Sequence, residues 1–367
     1  MSKLRVVVVT YLPSPYQVEL FNAIAAAGEF DLEVIYLNWT SNTPIARHWE
    51  QGSLQHKFVA LDGTPASEVK ASSSIALAEF VVFNFYQHPH VRRWIALCVE
   101  RGLPWCLWGE RTGYTRWAAL GGLYRRFMLA PLHRSRAAVW GIGRVAVEQY
   151  RKEFGERRRY FNVPYFSELG RFAAAGAGRE FNHVMRRFLF SGAFIPRKGV
   201  DLLATAFARV AQEFESASLT LLGAGELEGE LKRKLSVFGT RVEFAGFQSW
   251  EKLPEFYARA DVLVAPSRHD GWALVVPEAM ASGMPVIGTT ATGAAREFLR
   301  TGTNGWLIEP ARLDELTRAM RAAARLTPAE LRQYSGAARD AVCQHQLNDG
   351  VRRFAEAVRG SMEAFAR

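Results

Sequence analysis

Cysteine is scarce in this chain of 367 residues, which holds only Cys98, Cys106 and Cys343. Their odd number and wide spacing fit neither a disulfide framework nor a zinc site, so the sequence indicates a reducing compartment. Long apolar runs are missing as well. The start of the chain has four consecutive valines, and no later stretch reaches the length of a membrane span without charges. We therefore expect no signal peptide and no transmembrane helix.

Low-complexity tracts and short repeats are also absent, and hydrophobic residues make up 49% of the chain, which argues against disorder. A length of 367 residues exceeds what one hydrophobic core usually organises. The length therefore predicts two domains of about 180 residues each. We expect a cytoplasmic protein that is soluble or bound peripherally at the inner face of the plasma membrane.

Positive charge is unevenly distributed along the chain. Residues 86–170 hold 15 Lys and Arg against 6 Asp and Glu, whereas residues 1–85 hold 5 against 8. A localised basic face indicates an anionic partner, such as phospholipid, a lipid-linked phosphate or nucleic acid. No RNA- or DNA-reading motif accompanies the basic stretch, so nucleic acid is the partner that we do not expect.

Short apolar runs alternate with helical stretches, which predicts an α/β fold with two doubly wound parallel sheets. A stretch rich in Gly and Ala, 169–178, is interpreted as the linker between them. The strands of the first half are predicted at 4–10, 32–37, 78–83, 105–108, 137–140 and 161–165, with helices at 18–27, 91–101 and 144–154. The strands of the second half are predicted at 187–191, 218–222, 242–245, 262–266 and 285–289, with helices at 200–214, 227–238, 253–259, 277–282, 313–326, 328–343 and 350–366.

Two carboxylates, Asp270 and Glu278, stand on either side of a Gly-containing loop and the predicted start of a helix. The backbone N–H groups of 274–276 lie between them, and a helix N-terminus suits a diphosphate. Each carboxylate can accept hydrogen bonds from a pair of sugar hydroxyls, and ligands of open α/β sheets bind at the carboxyl ends of strands. The same two residues could instead cap a helix, and their spacing alone does not decide between these interpretations.

The sequence around these carboxylates resembles the retaining glycosyltransferases of family four. The pattern of that family is Pro-Ser-x-x-Glu-Gly-Phe-Gly-x-x-x-x-Glu-Ala-x-Ala-x-Gly-x-Pro-Val. This chain reads Pro266-Ser267-Arg268-His269-Asp270-Gly271-Trp272-Ala273, and then Glu278-Ala279-Met280-Ala281-Ser282-Gly283-Met284-Pro285-Val286. The resemblance is strong over residues 185–310 and weaker in the first half, at 11–16 and 163–165.

The resemblance implies the GT-B fold, in which two Rossmann-like domains face each other. We expect an acceptor-side domain at 1–170, a nucleotide-sugar-binding domain at 171–340, and a C-terminal helix at 341–367 that crosses back onto the first domain. The implied reaction is transfer of a hexose from a UDP- or GDP-sugar to a glycan, glycolipid or small molecule, with retention of configuration. It also implies a role in bacterial cell-surface polysaccharide synthesis, with no cofactor and no metal.

The donor-side roles also follow from the resemblance. Glu278 takes the position of the glutamate that binds the ribose hydroxyls, and Asp270 that of the glutamate that contacts the donor sugar. Lys198 falls on the lysine position at the diphosphate, whereas Ala193 occupies the position of the family's arginine. Stabilisation of the leaving group would then rest on Lys198, the helix N-terminus and Arg197 or Arg268. The remaining expected donor-binding residues are Gly271, Trp272, Ala273, Leu274, Val275, Gly246 and Phe247.

The first half of the chain is expected to supply the acceptor pocket. Glu110 and Arg111 follow a predicted strand, and Glu110 joins Asp270 and Lys198 in the predicted catalytic set, although both could be surface charges. His88 and His90 lie near another strand end and lack a metal-ligand partner, so loop histidines are the better interpretation. The acceptor-side residues are predicted to be Tyr11, Pro15, Tyr16, His88 and Arg111.

The basic stretch 111–136 mixes aromatic residues with arginines at helical spacing. This pattern is typical of an interfacial helix on an anionic membrane, but an ordinary outer helix packed on the sheet would show it too. Two functions other than sugar transfer also remain open. One is a non-catalytic membrane-surface scaffold, and the other is a sugar-nucleotide epimerase of the same fold.

Overall fold

The computed structural model of the chain describes residues 3–39, 54–111, 113, 118–181 and 186–365. The chain forms two compact units, one from Met1–Ser167 with Leu347–Arg367 and the other from Glu168–Gln346. Each unit contains one sheet, and all the strand pairs described in the two sheets are parallel. The predicted α/β class with two parallel sheets is confirmed.

The sheet of the first unit has the strand order β3-β2-β1-β4-β5-β6-β7. Val6 to Val9 lie on an interior strand of this sheet and are fully buried, as expected of a parallel strand that is covered on both faces. The strands are β1 (Leu4–Thr10), β2 (Phe30–Tyr36), β3 (Lys57–Ala60), β4 (Phe80–Phe83), β5 (Trp105–Gly109), β6 (Ala138–Gly141) and β7 (Tyr160–Asn162). The order reverses between β1 and β4, which places the switch point of the fold at their carboxyl ends.

Proline sets the start of three helices in this unit. Pro15, Pro65 and Pro89 each stand at the beginning of a helix, where the missing N–H is not needed. Two of these helices therefore begin earlier than the predicted 18 and 91, where apolar periodicity becomes visible. The helices are α1 (Pro15–Ala27), α2 (Pro65–Ala76), α3 (Pro89–Arg101), α4 (Ala118–Met128), α5 (Ala130–His133) and α6 (Arg144–Phe154).

The sheet of the second unit has the order β10-β9-β8-β11-β12-β13 and reverses between β8 and β11. Its strands are β8 (Arg186–Ser191), β9 (Ala217–Leu222), β10 (Val242–Gly246), β11 (Val262–Ala265), β12 (Val286–Thr289) and β13 (Gly305–Ile308). Its helices are α7 (Gly170–Gly176), α8 (Val200–Glu213), α9 (Glu228–Leu235), α10 (Leu253–Arg259), α11 (Val275–Ala281), α12 (Gly293–Phe298), α13 (Leu313–Arg325) and α14 (Pro328–Val342). Short 3-10 turns cover Pro196–Lys198 and Ser236–Arg241.

The stretch 169–178, interpreted above as a linker, is instead helix α7, and that interpretation is wrong. Phe172 is fully buried, with its ring centroid 5.1 Å from that of Tyr257. Gly176 lies so close to α11 that a Cβ there would stand 2.1 Å from the carbonyl oxygen of Ser282. The small residues of this stretch therefore allow close packing and do not confer flexibility.

Several other elements differ from the predictions. The helix predicted at 227–238 ends at Leu235, because the chain then tightens into a 3-10 turn that Gly239 interrupts with non-helical φ and ψ. Elements β3, α2, α12 and β13 have no counterpart among the predicted ones. Serine replaces apolar residues over much of α2, and α12 has only six residues, so neither shows clear helical periodicity.

The last helix, α15 (Leu347–Phe365), belongs to the first unit and packs on α1. Phe354 is fully buried, with its ring centroid 5.3 Å from that of Trp140 and 6.2 Å from that of Phe30. The indole N–H of Trp140 donates to Ser361 Oγ at 3.0 Å. Over the described ranges, no helix combines the length and apolar character needed to cross a bilayer.

Candidate functional site

The loops that follow β8 and β11 meet at the switch point of the second unit. Gly199, with φ of 72°, ends the turn after β8, and a Cβ at this position would stand 2.1 Å from the carbonyl oxygen of Pro266. Arg268 N–H donates to the carbonyl of Arg197 at 2.8 Å, which joins the two loops again. The predicted residues of both loops are therefore brought together by backbone contact.

Lys198 and Asp270 form an ion pair at this junction. Lys198 Nζ lies 2.5 Å from Asp270 Oδ2, and the two side chains are 21% and 11% exposed. The Asp270 amide donates to the carbonyl of Ala291 at 3.0 Å, which fixes the carboxylate beside the end of β12. A charge pair with so little exposure is held in one geometry more firmly than a surface pair, so it presents one defined cationic group to a ligand.

Glu278 stands in the first turn of α11 and is 1% exposed. Tyr257 on α10 donates its phenol to Glu278 Oε2 at 3.3 Å. Burial raises the pKa of Tyr257 well above its ordinary value, and the charge of Glu278 and a hydrogen bond to that carboxylate raise it further. The phenol therefore stays protonated and remains a donor to the carboxylate. Tyr257 was not predicted, because one tyrosine in a short amphipathic helix carries no functional signal.

The two arginines considered as substitutes at Ala193 have other partners. Arg268 forms a two-pronged ion pair with Asp201, with both N–O distances at 2.7 Å. Arg197 donates from Nη1 to the carbonyl of His269 at 3.1 Å. Arg268 is thus held in the loop by a carboxylate, and Lys198 is the cation that lies next to Asp270.

The predicted donor loop between Asp270 and Glu278 has two distinct parts. Trp272 is 1% exposed and packs against the rings of Phe298 and His345, at centroid distances of 5.8 and 5.7 Å, so its side chain has a packing role. Gly271 is also buried, while Ala273, Leu274 and Val275 are partly exposed. These three residues lead directly into α11.

One of the amides expected between the carboxylates is already engaged. Val276 N–H donates to the carbonyl of Ala273 at 3.1 Å, which closes a turn at the start of α11. At the end of β10, the carbonyl of Gly246 accepts from the amide of Gly223 at 2.8 Å, and Phe247 beside it is 38% exposed. Gly246 and Phe247 therefore lie at the carboxyl end of β10, on the same edge of the sheet as the ends of β8 and β11.

The predicted acceptor-side residues lie at strand ends and helix starts of the first unit. Tyr11 follows β1 and is 39% exposed, and its hydroxyl accepts from Asn38 Nδ2 at 3.1 Å. Pro15 opens α1. The ring of Tyr16 lies 4.9 Å from that of Tyr165.

His88 caps α3 in the structure. Its Nδ1 accepts from the amide of His90 at 3.4 Å, and burial, followed by the charge of His90, lowers the pKa of His88. Glu110 follows β5 as an exposed residue whose carbonyl accepts from Tyr150 Oη at 2.8 Å. Arg111 beside it is partly buried. Any catalytic or acceptor role for His88, Glu110 or Arg111 remains a prediction.

A polar network that the sequence did not reveal lies at the switch point of the first unit. Gln17 Nε2 donates to Asn84 Oδ1 at 3.0 Å, and Asn84 Nδ2 donates to the carbonyl of Trp108 at 3.1 Å. Thr10 Oγ1 donates to Gln17 Oε1 at 3.2 Å and completes the network. These residues come from β1, α1, β4 and β5, so only the fold brings them together. Among the residues that the structure describes, no group of three or more His, Cys, Asp or Glu is placed to hold a metal ion.

Comparison with known proteins gives the family context of this geometry. The family described as Glycosyl transferases group 1 matches residues 185–325, which cover nearly all of the second sheet and the Lys198, Asp270 and Glu278 site. An uncharacterized glycosyltransferase of Methanocaldococcus jannaschii is 35% identical over 126 residues, which are 33% of this chain and 33% of that protein. A GDP-mannose-dependent monoacylated alpha-(1-6)-phosphatidylinositol monomannoside mannosyltransferase of Corynebacterium glutamicum is 26% identical over 194 residues, 49% of this chain and 50% of that protein.

The chain thus spans between a third and a half of the length of these curated relatives. The structural similarity covers a larger share of the chain than these sequence matches do. The crystal structure of the Anabaena protein HepE in complex with UDP-glucose superposes with a TM-score of 0.74 at 14% identity, covering 97% of this chain and 100% of that one. Residues 185–325 are therefore similar to the group 1 glycosyltransferases, and the two parallel sheets agree with the GT-B fold of the solved structures that superpose on the whole chain.

Proposed function

We propose that the chain transfers a hexose from a nucleoside-diphosphate sugar, UDP- or GDP-linked, to a glycan, glycolipid or small-molecule acceptor with retention of configuration. The observation that carries this proposal is the pairing of Lys198 with Asp270 at the switch point of the second unit, in the loop that leads into α11 with its buried Glu278. HepE, with the same fold, has been crystallised with UDP-glucose. The Corynebacterium relative is named as a GDP-mannose-dependent enzyme that acts on a glycolipid.

Each of the three residues has a distinct task in this proposal. Glu278 accepts hydrogen bonds from the ribose hydroxyls, with Tyr257 donating to its other side to hold the carboxylate in place. Lys198 contacts the diphosphate. Asp270 orients the Lys198 ammonium with Oδ2, and its second carboxylate oxygen accepts from a hydroxyl of the donor sugar.

The proposed reaction is a front-face displacement at the anomeric carbon. The bond from that carbon to the diphosphate oxygen breaks while the acceptor oxygen forms a new bond on the same face, and the departing phosphate takes the acceptor proton. Lys198 stabilises the negative charge that develops on the phosphate as it leaves, a type of stabilisation that commonly accounts for a large part of a rate enhancement. We propose that this charge stabilisation operates without a metal ion, in an enzyme of bacterial cell-surface polysaccharide or glycolipid synthesis.

A thermal-shift panel of UDP- and GDP-sugars, run with and without EDTA, tests the donor site. A ligand present at a hundred times its Kd stabilises the folded state by about 2.7 kcal/mol, which raises Tm by several degrees. We expect such a shift with one nucleotide class, unchanged by EDTA, and its loss in Glu278→Ala. Glu230→Ala is the matched control, because Glu230 also lies in the first turn of a helix of the second unit but is exposed.

Asp270→Asn separates the proposed roles of the two carboxylates. We expect this variant to keep nucleotide binding and to lose most of its transfer rate, because the amide no longer holds the Lys198 ammonium by charge. A wild type that no nucleotide-sugar stabilises would point to the non-catalytic scaffold. Conversion of the donor sugar without any acceptor would point to the epimerase.

A further inference from the structure

Helix α4 carries three large apolar side chains into solvent. Leu123 and Phe127 are each 68% exposed, and Tyr124 is 51% exposed. Residues four apart on a helix lie on one face, and Tyr124 adjoins that face. Of the predicted basic stretch 111–136, residues 112 and 114–117 lie outside the described residues.

Beyond α4, two leucines of this stretch are packed in the core. Leu129 and Leu132 are 2% and 1% exposed and belong to the core of the first unit. The exposed face of α4 is therefore not explained by packing on the sheet. We call Leu123, Tyr124 and Phe127 the α4 apolar face.

Basic residues lie on α4 itself and on two segments that contacts join to it or to the adjoining α5. Arg125 Nε lies 2.9 and 3.1 Å from the carboxylate oxygens of Glu153, which ties α4 to the last turn of α6, where Arg151 and Lys152 are exposed. Arg126, on α4 itself, is exposed as well.

The second set of contacts runs through α5. Arg158 Nη2 donates to the carbonyls of Leu132 and Ser135 at 2.6 and 2.9 Å, which holds Arg157 and Arg159 beside the end of that helix. Residues 123–159 contain ten Lys and Arg against three Asp and Glu. The segment that begins with the α4 apolar face is therefore strongly positive.

We propose that the α4 apolar face docks in the plane of an anionic lipid bilayer, with the neighbouring basic side chains on the headgroup phosphates. An eleven-residue helix is about 16 Å long and cannot cross a hydrocarbon core of about 30 Å, so it lies in the interface. A protein partner could cover three apolar side chains, but the excess of seven positive charges over residues 123–159 matches a polyanionic surface. The docking uses none of the residues of the proposed donor site.

Flotation of the full chain with lipid vesicles tests the proposal. We expect the protein to bind phosphatidylcholine vesicles that contain about 30% phosphatidylglycerol and not pure phosphatidylcholine vesicles. Binding should weaken as NaCl is raised to about 0.3 M, because salt screens the attraction between basic side chains and phosphates.

Paired substitutions locate the contact. Leu123→Gln with Phe127→Gln should lower the vesicle-bound fraction at least tenfold. Arg134 is exposed directly after α5, and Arg126→Glu with Arg134→Glu should lower binding to anionic vesicles to a similar extent. The matched control is Val69→Gln on α2 with Leu77→Gln directly after that helix, where the two side chains are 66% and 64% exposed, and it should bind within twofold of wild type. Unchanged far-UV circular dichroism in every variant shows that the fold is intact.

Three results would overturn the proposal. In the first, the wild type does not bind anionic vesicles. In the second, the Leu123→Gln, Phe127→Gln variant binds them as well as the wild type does. In the third, the wild type is a dimer and that variant is a monomer, which would assign the face to a second copy of the chain. The vesicle assay contains no nucleotide-sugar, so its failure would leave the thermal-shift test of the donor site unaffected.

Discussion

Ala273 adopts a backbone conformation that alanine rarely takes. Its φ is 71°, in the left-handed region, directly before the start of α11 and between the two carboxylates of the candidate site. Such a conformation costs about 1–2 kcal/mol for a residue with a Cβ, and strain of this kind is frequent at functional sites. The family pattern has glycine at this position, so the chain carries strain there that the pattern avoids.

Ala273→Gly should therefore stabilise the second unit by about 1 kcal/mol, because glycine enters this region without a steric penalty. Ala311→Gly is the matched control away from the site, since Ala311 has φ of 59° and is exposed. Ala322→Gly, in the middle of α13, should destabilise by a similar amount. Urea denaturation measures all three, and a loss of stability in Ala273→Gly would show that the alanine methyl makes a contact worth more than the strain.

At the scale of elements, α1, β2 and the chain before β3 are joined through one buried imidazole. His56 Nδ1 lies 2.7 Å from Asn22 Oδ1, and Nε2 lies 2.9 Å from Tyr36 Oη. Because Asn22 Oδ1 can only accept, Nδ1 carries the proton and Nε2 accepts from the phenol, which is the pattern of a neutral ring. Burial lowers the pKa of His56 to about 4.

This pKa predicts a loss of stability in acid. The unfolded chain binds a proton at His56 below about pH 6.5, whereas the folded chain does so only near pH 4. The contribution of neutral His56 to the free energy of unfolding is therefore fully present above about pH 6.5 and is lost as the pH falls from about 6.5 to about 4. We expect a loss of about 2 kcal/mol from this group, allowing for partial solvent screening. The difference in urea midpoint between neutral and mildly acidic buffer should be smaller in His56→Gln than in wild type, and equal differences would show that His56 is charged in the fold.

At the scale of the whole molecule, the chain leaves the first unit at Ser167 and returns to it at Leu347. The returning helix α15 closes the core of the first unit with Phe354, against which the rings of Phe30, Trp108 and Trp140 pack. The first unit is therefore complete only when residues 347–365 have been made. Its stability depends on residues that are distant in sequence from its sheet.

Phe354→Ala should destabilise the first unit by about 3–5 kcal/mol, because it leaves a cavity among buried rings. Hydrogen exchange followed by mass spectrometry should show faster exchange in α1 and β1, with little change in β8 to β12. Glu356→Gln, on the exposed face of α15, is the control and should leave exchange as in wild type. An equal rise in both units would show that they unfold as one.

The residues of the proposed donor site could be selected from the sequence because they lie in locally encoded motifs. Asp270 and Glu278 lie within one strand–loop–helix segment. Lys198 lies in a second contiguous segment, the sequence Gly-Ala-Phe-Ile-Pro-Arg-Lys-Gly that follows a strand. Tyr257 and the network of Gln17 and Asn84 could not be predicted in the same way. Their partners come from separate elements, and hydrogen-bond partners of that kind have no fixed spacing along a chain.

The sequence by itself determined the α/β class and most of the strands, and it selected the two carboxylates and the lysine as candidate site residues. These follow from periodicity and from a motif that is contiguous along the chain. Only the tertiary structure decided that 169–178 is a packed helix and that Arg268 pairs with Asp201. It also decided that Lys198 pairs with Asp270 and that α4 leaves three apolar side chains in solvent. Each of these depends on which surface another element covers, and periodicity along one segment does not contain that information.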